Sequence, residues 1–253
     1  MKITLLGTGS FVSDLEHMGP GYLLETDDKK ILVDTGCGVQ IQLIKLGINI
    51  YDLDYIFITH FHPDHTVELY SMLVRRYMLS AFYGKDPRPL YVYGPKGIAE
   101  FIKGIAKIHQ LDLVPQFKEI YFEELVDKMK ELDNFSVEAF AVDHLNSDAV
   151  SYRFQAEGKK VVFSGDTKLC EGIQKAIQDV DLFITDCSAP KDNPIEPHLL
   201  TTEIGEISKK ANVKKVVLSH LLPLGYDTDL VSEVKEKFDG EVVLGKDLME
   251  LEV

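Results

Sequence analysis

Thr59-His60-Phe61-His62-Pro63-Asp64-His65 is the stretch from which the rest of this chain is read. Three histidines and one aspartate fall within six residues, directly after the apolar run Tyr55-Ile56-Phe57-Ile58. Imidazole nitrogens and carboxylate oxygens are good ligands for divalent transition metals. Four such groups on a tight loop at a strand end crowd a single cation and divide better between two neighbouring ions. Polar groups that lose hydration on packing are rarely gathered this way unless something coordinates them.

A site for two ions needs further ligands, and four residues stand in comparable places. His144 follows the alternating run Ser136–Val142, Asp166 follows Val161-Val-Phe-Ser-Gly165, and His220 follows Lys215-Val-Val-Leu-Ser219. His198 sits in the proline-flanked loop Pro194-Ile-Glu-Pro197. Each alone is weak evidence, and their shared position after apolar segments is what raises them. His17 and His109 lack that context. Tyr55–His60 and Lys215–His220 also echo each other, each a short apolar strand ending in a hydroxyl residue and a histidine. The echo suggests two halves delivering ligands to one shared edge.

The chain has 253 residues, 45% of them hydrophobic, which suffices for one large core and is read as a single domain over 1–253. No apolar run approaches the ~20 residues that span a bilayer. Met1–Leu6 meets Gly7 too early for a signal-peptide core, and Cys37, Cys170 and Cys187 have no paired spacing. Reduced thiols and a cytoplasmic location are therefore expected. A net charge of −14 opposes non-specific nucleic-acid binding. From Arg75 to Lys107, however, seven basic residues stand against Asp86 and Glu100. That segment is either a positive face for an anionic substrate or a solvated surface.

Strands are expected at Met1–Leu6, Tyr22–Thr26, Ile31–Asp34, Tyr55–Thr59, Leu90–Tyr93, about Lys118–Phe122, Ser136–Val142, Val150–Gln155, Lys160–Ser164, Asp181–Thr185, Lys214–Ser219, Glu241–Leu244 and Leu248–Leu251. Helices are expected at Val39–Leu46, His65–Leu79, Pro95–His109, Leu169–Ile177, Thr201–Ala211 and Asp227–Phe238. Hairpins with interleaved helices point to an α/β architecture of two face-to-face mixed sheets with helices outside.

The set His60-x-His62-x-Asp64-His65, His144, Asp166 in Ser-Gly-Asp-Thr and His220 in Leu-Ser-His resembles the metallo-β-lactamase superfamily. Gly7-Thr-Gly-Ser10 and Ile31-Leu-Val-Asp34-Thr-Gly36 look like its opening strands. The resemblance covers essentially the whole chain and implies that superfamily's four-layer αββα fold. Pro89–Pro95 and the block His198–His220 are similar to the ribonuclease Z branch. Two features depart from it. Only 21 residues separate His144 from Asp166, so the long tRNA-binding arm is missing, and Thr185-Asp186-Cys187-Ser188 stands where that branch often has His-Glu-Ala-Thr. Full-length tRNA is therefore not the expected substrate.

By this resemblance His60, His62 and His144 would hold one metal, Asp64, His65 and His220 the second, and Asp166 would bridge them. Zinc is the default from ligand chemistry, with manganese or iron also suited. The implied activity is a binuclear metal-dependent hydrolase. It is foremost a phosphodiesterase using a metal-bridging hydroxide on a small or cyclic nucleotide or an RNA end. The alternative is a carbonyl-directed thioesterase, lactonase or glyoxalase II-like enzyme. Asp64 would orient the hydroxide and His198 would protonate the leaving group. Asp34 is read as a support behind the ligands or a turn residue, and Gly7, Gly9 and Gly36 as permitting tight turns. Asp186 is read as an ordinary strand-end acid slightly ahead of a carboxylate that orients His198. Related proteins often form dimers, so a homodimer through the helix His65–Leu79 is a further expectation.

Overall fold

The computed structural model describes residues 1–86, 88–117 and 119–253. In chain order, β1 (Lys2–Gly7), β2 (Gly21–Thr26) and β3 (Lys29–Val33) lead to α1 (Val39–Lys45) and β4 (Tyr55–Phe57). After α2 (Pro63–Thr66) and α3 (Leu69–Tyr83) come β5 (Leu90–Gly94), α4 (Ile98–Ile108) and β6 (Ile120–Glu124). Strands β7 (Lys128–Leu132), β8 (Phe135–His144), β9 (Ser147–Ala156) and β10 (Lys159–Phe163) follow without a helix between them. Next are α5 (Glu171–Ala176), β11 (Leu182–Asp186), α6 (Thr201–Lys210) and β12 (Lys215–Ser219). The last elements are α7 (Pro223–Tyr226), α8 (Leu230–Lys235), β13 (Glu241–Leu244) and β14 (Glu250–Glu252).

Two seven-stranded sheets result, ordered β14-β1-β2-β3-β4-β5-β6 and β13-β12-β11-β10-β9-β8-β7. β3 to β6 run parallel, as do β10 to β13, while the hairpins are antiparallel. Successive strand residues point to opposite faces, and here both faces are covered. Ile31 and Val33 enter the core between the sheets, while Leu32 between them joins Leu43, Leu73 and Ile102 on the helical side. In the second sheet Leu182 and Ile184 face inward, and Phe183 packs outward with Ile173, Ile204 and Val234. This double burial explains why the central strands read as continuous apolar runs, and it is the expected αββα layering.

The deviations from the sequence reading have local causes. β7, of sequence Lys-Met-Lys-Glu-Leu, was not foreseen; it is an edge strand with little apolar content. The helix expected over His65–Leu79 is divided into α2 and α3. Thr35 N–H donates to the His65 carbonyl at 2.8 Å and Glu68 N–H donates to the Thr35 carbonyl at 3.1 Å. Those backbone groups serve the loop after β3 instead of one continuous helix. α4 begins at Ile98, after Gly97 at φ 92°, and not at Pro95. α8 is shorter than Asp227–Phe238 because Asp229 caps it, accepting from Ser232 N at 3.0 Å. Lys118, where one expected strand begins, lies outside the described residues. Among the described residues no helix is long and apolar enough to cross a membrane.

Candidate metal centre

Polar side chains gather where the parallel strands of both sheets end, the edge at which open α/β sheets usually bind ligands. The loop after β4 supplies His60 and His62, and α2 supplies Asp64 and His65. From the second sheet come His144 at the end of β8, Asp166 after β10 and His220 after β12. Every sequence-nominated ligand arrives at this edge, and His62 is the only one of the seven that is not fully buried.

The seven nominated donors fall into two groups that share Asp166, His60, His62, His144 and Asp166 on one side and Asp64, His65, Asp166 and His220 on the other, while Asp166 and His220 also cluster with Asp186 and His198 in a third. In the first, His144 Nε2 lies 3.1 Å from His62 Nδ1 and 3.6 Å from Asp166 Oδ2, with His60 Nε2 3.8 Å from the same oxygen. In the second, Asp166 Oδ1 lies 3.2 Å from His65 Nε2 and 3.3 Å from His220 Nε2. Asp64 Oδ2 is 3.7 Å from His65 Nε2 and 3.2 Å from His220 Nε2. Four donors about 2.1 Å from a tetrahedral ion stand about 3.4 Å apart, and the observed spacings bracket that value. His60 Nε2, His65 Nε2, Asp64 Oδ1 and Asp166 Oδ1 are buried without a hydrogen-bond partner. A buried polar atom left unpaired is costly, and a cation at each group would satisfy His60 Nε2, His65 Nε2 and Asp166 Oδ1. The residues fit divalent metal ions.

Electrostatics agree. Burial pushes the pKa of His60 well below the ordinary imidazole value, and likewise lowers His62 and His144. These three are neutral donors. Burial also disfavours charge on His65 and His220, but Asp166 outweighs it, raising His65 well above normal and His220 to about 10. Asp166 stays ionised despite its burial because His220 and His65 hold its pKa well down.

Two aspartates behind the site repeat one arrangement. Asp34, after β3, accepts from His65 Nδ1 at 2.8 Å and from the Thr59 hydroxyl at 2.9 Å; Thr59 Oγ1 lies 3.1 Å from His60 Nδ1. Asp186, ending β11, lies 2.6 Å from His198 Nδ1 and accepts from the Ser188 hydroxyl at 2.8 Å; Ser188 Oγ lies 3.0 Å from His220 Nδ1. Each carboxylate thus holds one imidazole directly and a second through a hydroxyl. A hydroxyl that donates to the carboxylate must accept from the ring, so His60, and His220 once a metal displaces its second proton, carry hydrogen on Nδ1 and present Nε2 as the ligand atom. The reading of Asp186 as an ordinary strand-end acid is corrected, because it positions His198. Thr59 was missed as a ligand support, its only signal being a hydroxyl residue beside the strand-end His60, and Ser188, read from the sequence as lining the pocket, supports His220 as well.

Asp34 and His220 both adopt left-handed backbone, at φ 59° and 54°. Such conformations in non-glycine residues concentrate at functional sites. Gly7, Gly9 and Gly36, expected to permit turns, have another reason to be glycine. A Cβ on Gly36 would lie 2.4 Å from the Asp64 carbonyl, and one on Gly7 2.0 Å from the Gly19 carbonyl. Close backbone approach, not turn conformation, excludes side chains there.

His198 is 13% exposed and its ring lies 5.2 Å from that of His144 and 5.5 Å from that of His220. Burial opposes its charge, but Asp186 raises its pKa above the ordinary imidazole value. The remaining histidines lie elsewhere: His17 stacks on Tyr226 and His109 on Tyr70. Cys187 is buried in the outer core of the second sheet, where burial pushes its thiol pKa up, so it has no thiolate to offer as a nucleophile. Within the basic segment, Arg76 is buried and donates to the Ile50 and Arg88 carbonyls, and Arg88 pairs with Asp54. These two serve the fold.

The two packed sheets and the donor cluster at their shared edge define the class by its fold, the metallo-β-lactamase fold. The chain is 23% identical to the metallo-β-lactamase fold protein YhfI from Bacillus subtilis, with a TM-score of 0.85 covering 100% of this chain and 99% of that one. It is 22% identical to the short form of human tRNase Z, with a TM-score of 0.78 over 100% and 99% of the two chains. Ribonuclease Z from Mycobacterium bovis is 26% identical over 278 aligned positions, spanning 100% of this chain and 98% of that protein. The family described as Anti-Pycsar protein Apyc1 matches residues 1–222, and the chain belongs to that family.

Proposed function

We propose that the protein is a phosphodiesterase that holds two divalent cations and cleaves a small or cyclic nucleotide or a short RNA end. The observation that carries this reading is the pair of four-donor groups joined through Asp166, with His198 beside both. Cations bound there would supply Lewis acidity toward a phosphoryl oxygen and lower the pKa of water. Zinc is the first candidate, with manganese or iron suited to the same donors.

The chain's own residues divide the remaining work. Asp64 belongs to the second donor group and leaves one buried oxygen free to orient a water. His198, whose charged form Asp186 favours against the effect of burial, would give a proton to the leaving oxygen. Ser188 occupies the other Asp186 oxygen and so fixes the carboxylate plane.

A compact substrate is favoured by what lies between His144 and Asp166. Only β9, β10 and their two-residue turns occupy this interval, so no arm reaches outward to grip a folded RNA. The net charge of −14 argues the same way, since long polyanions rely on a positive surface. The ribonuclease Z relatives support phosphodiester chemistry. The test is hydrolysis by metal-loaded protein of cyclic nucleotides, bis(p-nitrophenyl) phosphate and short RNA beside a thioester and lactone panel. Turnover of phosphodiesters alone is expected. Turnover of only the carbonyl substrates would overturn the reading.

A further inference from the structure

We infer that Phe11 is the platform on which the nucleobase of the substrate stacks, a step that rests on the phosphodiesterase reading. The Phe11 ring lies 6.3 Å from that of His62, tilted by 47°, yet the residue is 62% exposed. His62 in turn neighbours His144 at 4.8 Å, and His144 neighbours His198 at 5.2 Å. Phe11 and the proton donor therefore stand at the two ends of a run of four neighbouring rings.

The loop that carries Phe11 is anchored, so its exposure is not a frayed end. Asp247 accepts from Thr8 N, Thr8 Oγ1 and Met18 N at 2.8 to 2.9 Å, tying both ends of the loop to one carboxylate. Gly9 N–H donates to the Met18 carbonyl at 2.8 Å, and Leu221 N–H donates to the Thr8 carbonyl at 2.7 Å, beside His220. Inside the loop, Asp14 Oδ1 accepts from Glu16 N and His17 N. These contacts hold the backbone while leaving the Phe11 ring toward solvent next to a half-buried ligand. Leu145, following His144, is also exposed, at 60%.

A lone exposed aromatic is ordinary on a protein surface; one held beside the donor cluster is placed for use. A nucleotide carries its flat apolar group one ribose away from its phosphate. With phosphate at the metals, the base falls on the rim where Phe11 stands. Stacking suits every base because each has a π-face, so the platform confers affinity for nucleotides over base-free phosphodiesters without selecting one base.

The chain contains no tryptophan, so Phe11→Trp installs a single fluorescent reporter. In metal-loaded protein we expect its emission to be quenched saturably by a nucleoside 5′-monophosphate and not by ribose 5-phosphate. Phe11→Ala should raise KM for a cyclic nucleotide about tenfold relative to its effect on glycerol 1,2-cyclic phosphate, which lacks a base. Equal quenching by ribose 5-phosphate, no quenching, or an unchanged KM ratio would overturn the platform. The two readings fail separately. A wild type that cleaves no phosphodiester, with nucleotide quenching intact, removes the activity and keeps the stacking. A wild type that cleaves, with Phe11→Ala indistinguishable from it, does the reverse.

Discussion

At the scale of single residues the site depends on how imidazoles are held. In the proposed reaction His198 would act on the leaving group as a proton donor, and Asp186 at 2.6 Å favours its protonated form. His198→Ala should lower kcat about 10²- to 10⁴-fold for an alkoxide leaving group. It should have little effect on bis(p-nitrophenyl) phosphate, whose leaving group departs without protonation. Equal losses on both substrates would assign His198 to binding instead. Asp34 acts behind the ligands. Asp34→Asn tolerates the left-handed backbone at φ 59°, yet removes the charge facing His65. Metal affinity measured against a competing chelator should fall about 10- to 100-fold. The sign of the pH effect on metal loading also follows. His65 and His220 hold protons in the metal-free protein because Asp166 raises their pKa. A metal must displace those protons, so its affinity should rise with pH. Calorimetry in buffers of different ionisation enthalpy should count proton release on binding. The seven donors were legible in the sequence because each follows an apolar strand. The role of Thr59 was not, since a hydroxyl beside a histidine acquires meaning only when a distant aspartate meets it, and that of Ser188 was not, since the ring it meets lies thirty-two residues further along the chain.

At the scale of elements, the second sheet places its ligands by close packing. Gly172 in α5 lies so near β8 that a Cβ would sit 1.8 Å from the Ala141 carbonyl, three residues before His144. Gly172→Ala must push α5 off the strand, an overpacking that costs about 1–3 kcal/mol. Thermal melting should show the lower stability, and the metal content of the folded fraction should fall because His144 moves with β8. Unchanged melting would mean that α5 shifts freely. The central elements were legible because double burial makes β3, β4, β11 and β12 continuous apolar runs. β7 was not, because an edge strand of Lys-Met-Lys-Glu-Leu owes its form to pairing with β8 rather than to its own pattern. The break between α2 and α3 was equally hidden. It depends on the Thr35 backbone capturing His65 and Glu68 from thirty residues away.

At the scale of the whole molecule, the donor groups lie on the seam between the two sheets. The loop after β4 and α2 bring four ligands from the first sheet, and β8, β10 and β12 bring three from the second. Each group draws on both sheets, so a cation in either one joins them. In the metal-free protein the seam holds buried donors without partners. An ion bound only by the folded state at a hundred times its dissociation constant stabilises that state by about 2.7 kcal/mol. For a chain of this size a change of 1 kcal/mol moves Tm by roughly 2–4 °C, so chelation should lower Tm by about 5–10 °C. Calorimetric melting with and without chelator, alongside elemental analysis, measures this, and restoring the metal should return the transition. A chelated protein that loses its metal while its Tm stays put would show that apolar packing between the sheets holds the seam alone. The donor groups would then be a preformed site that contributes to catalysis and nothing to the fold.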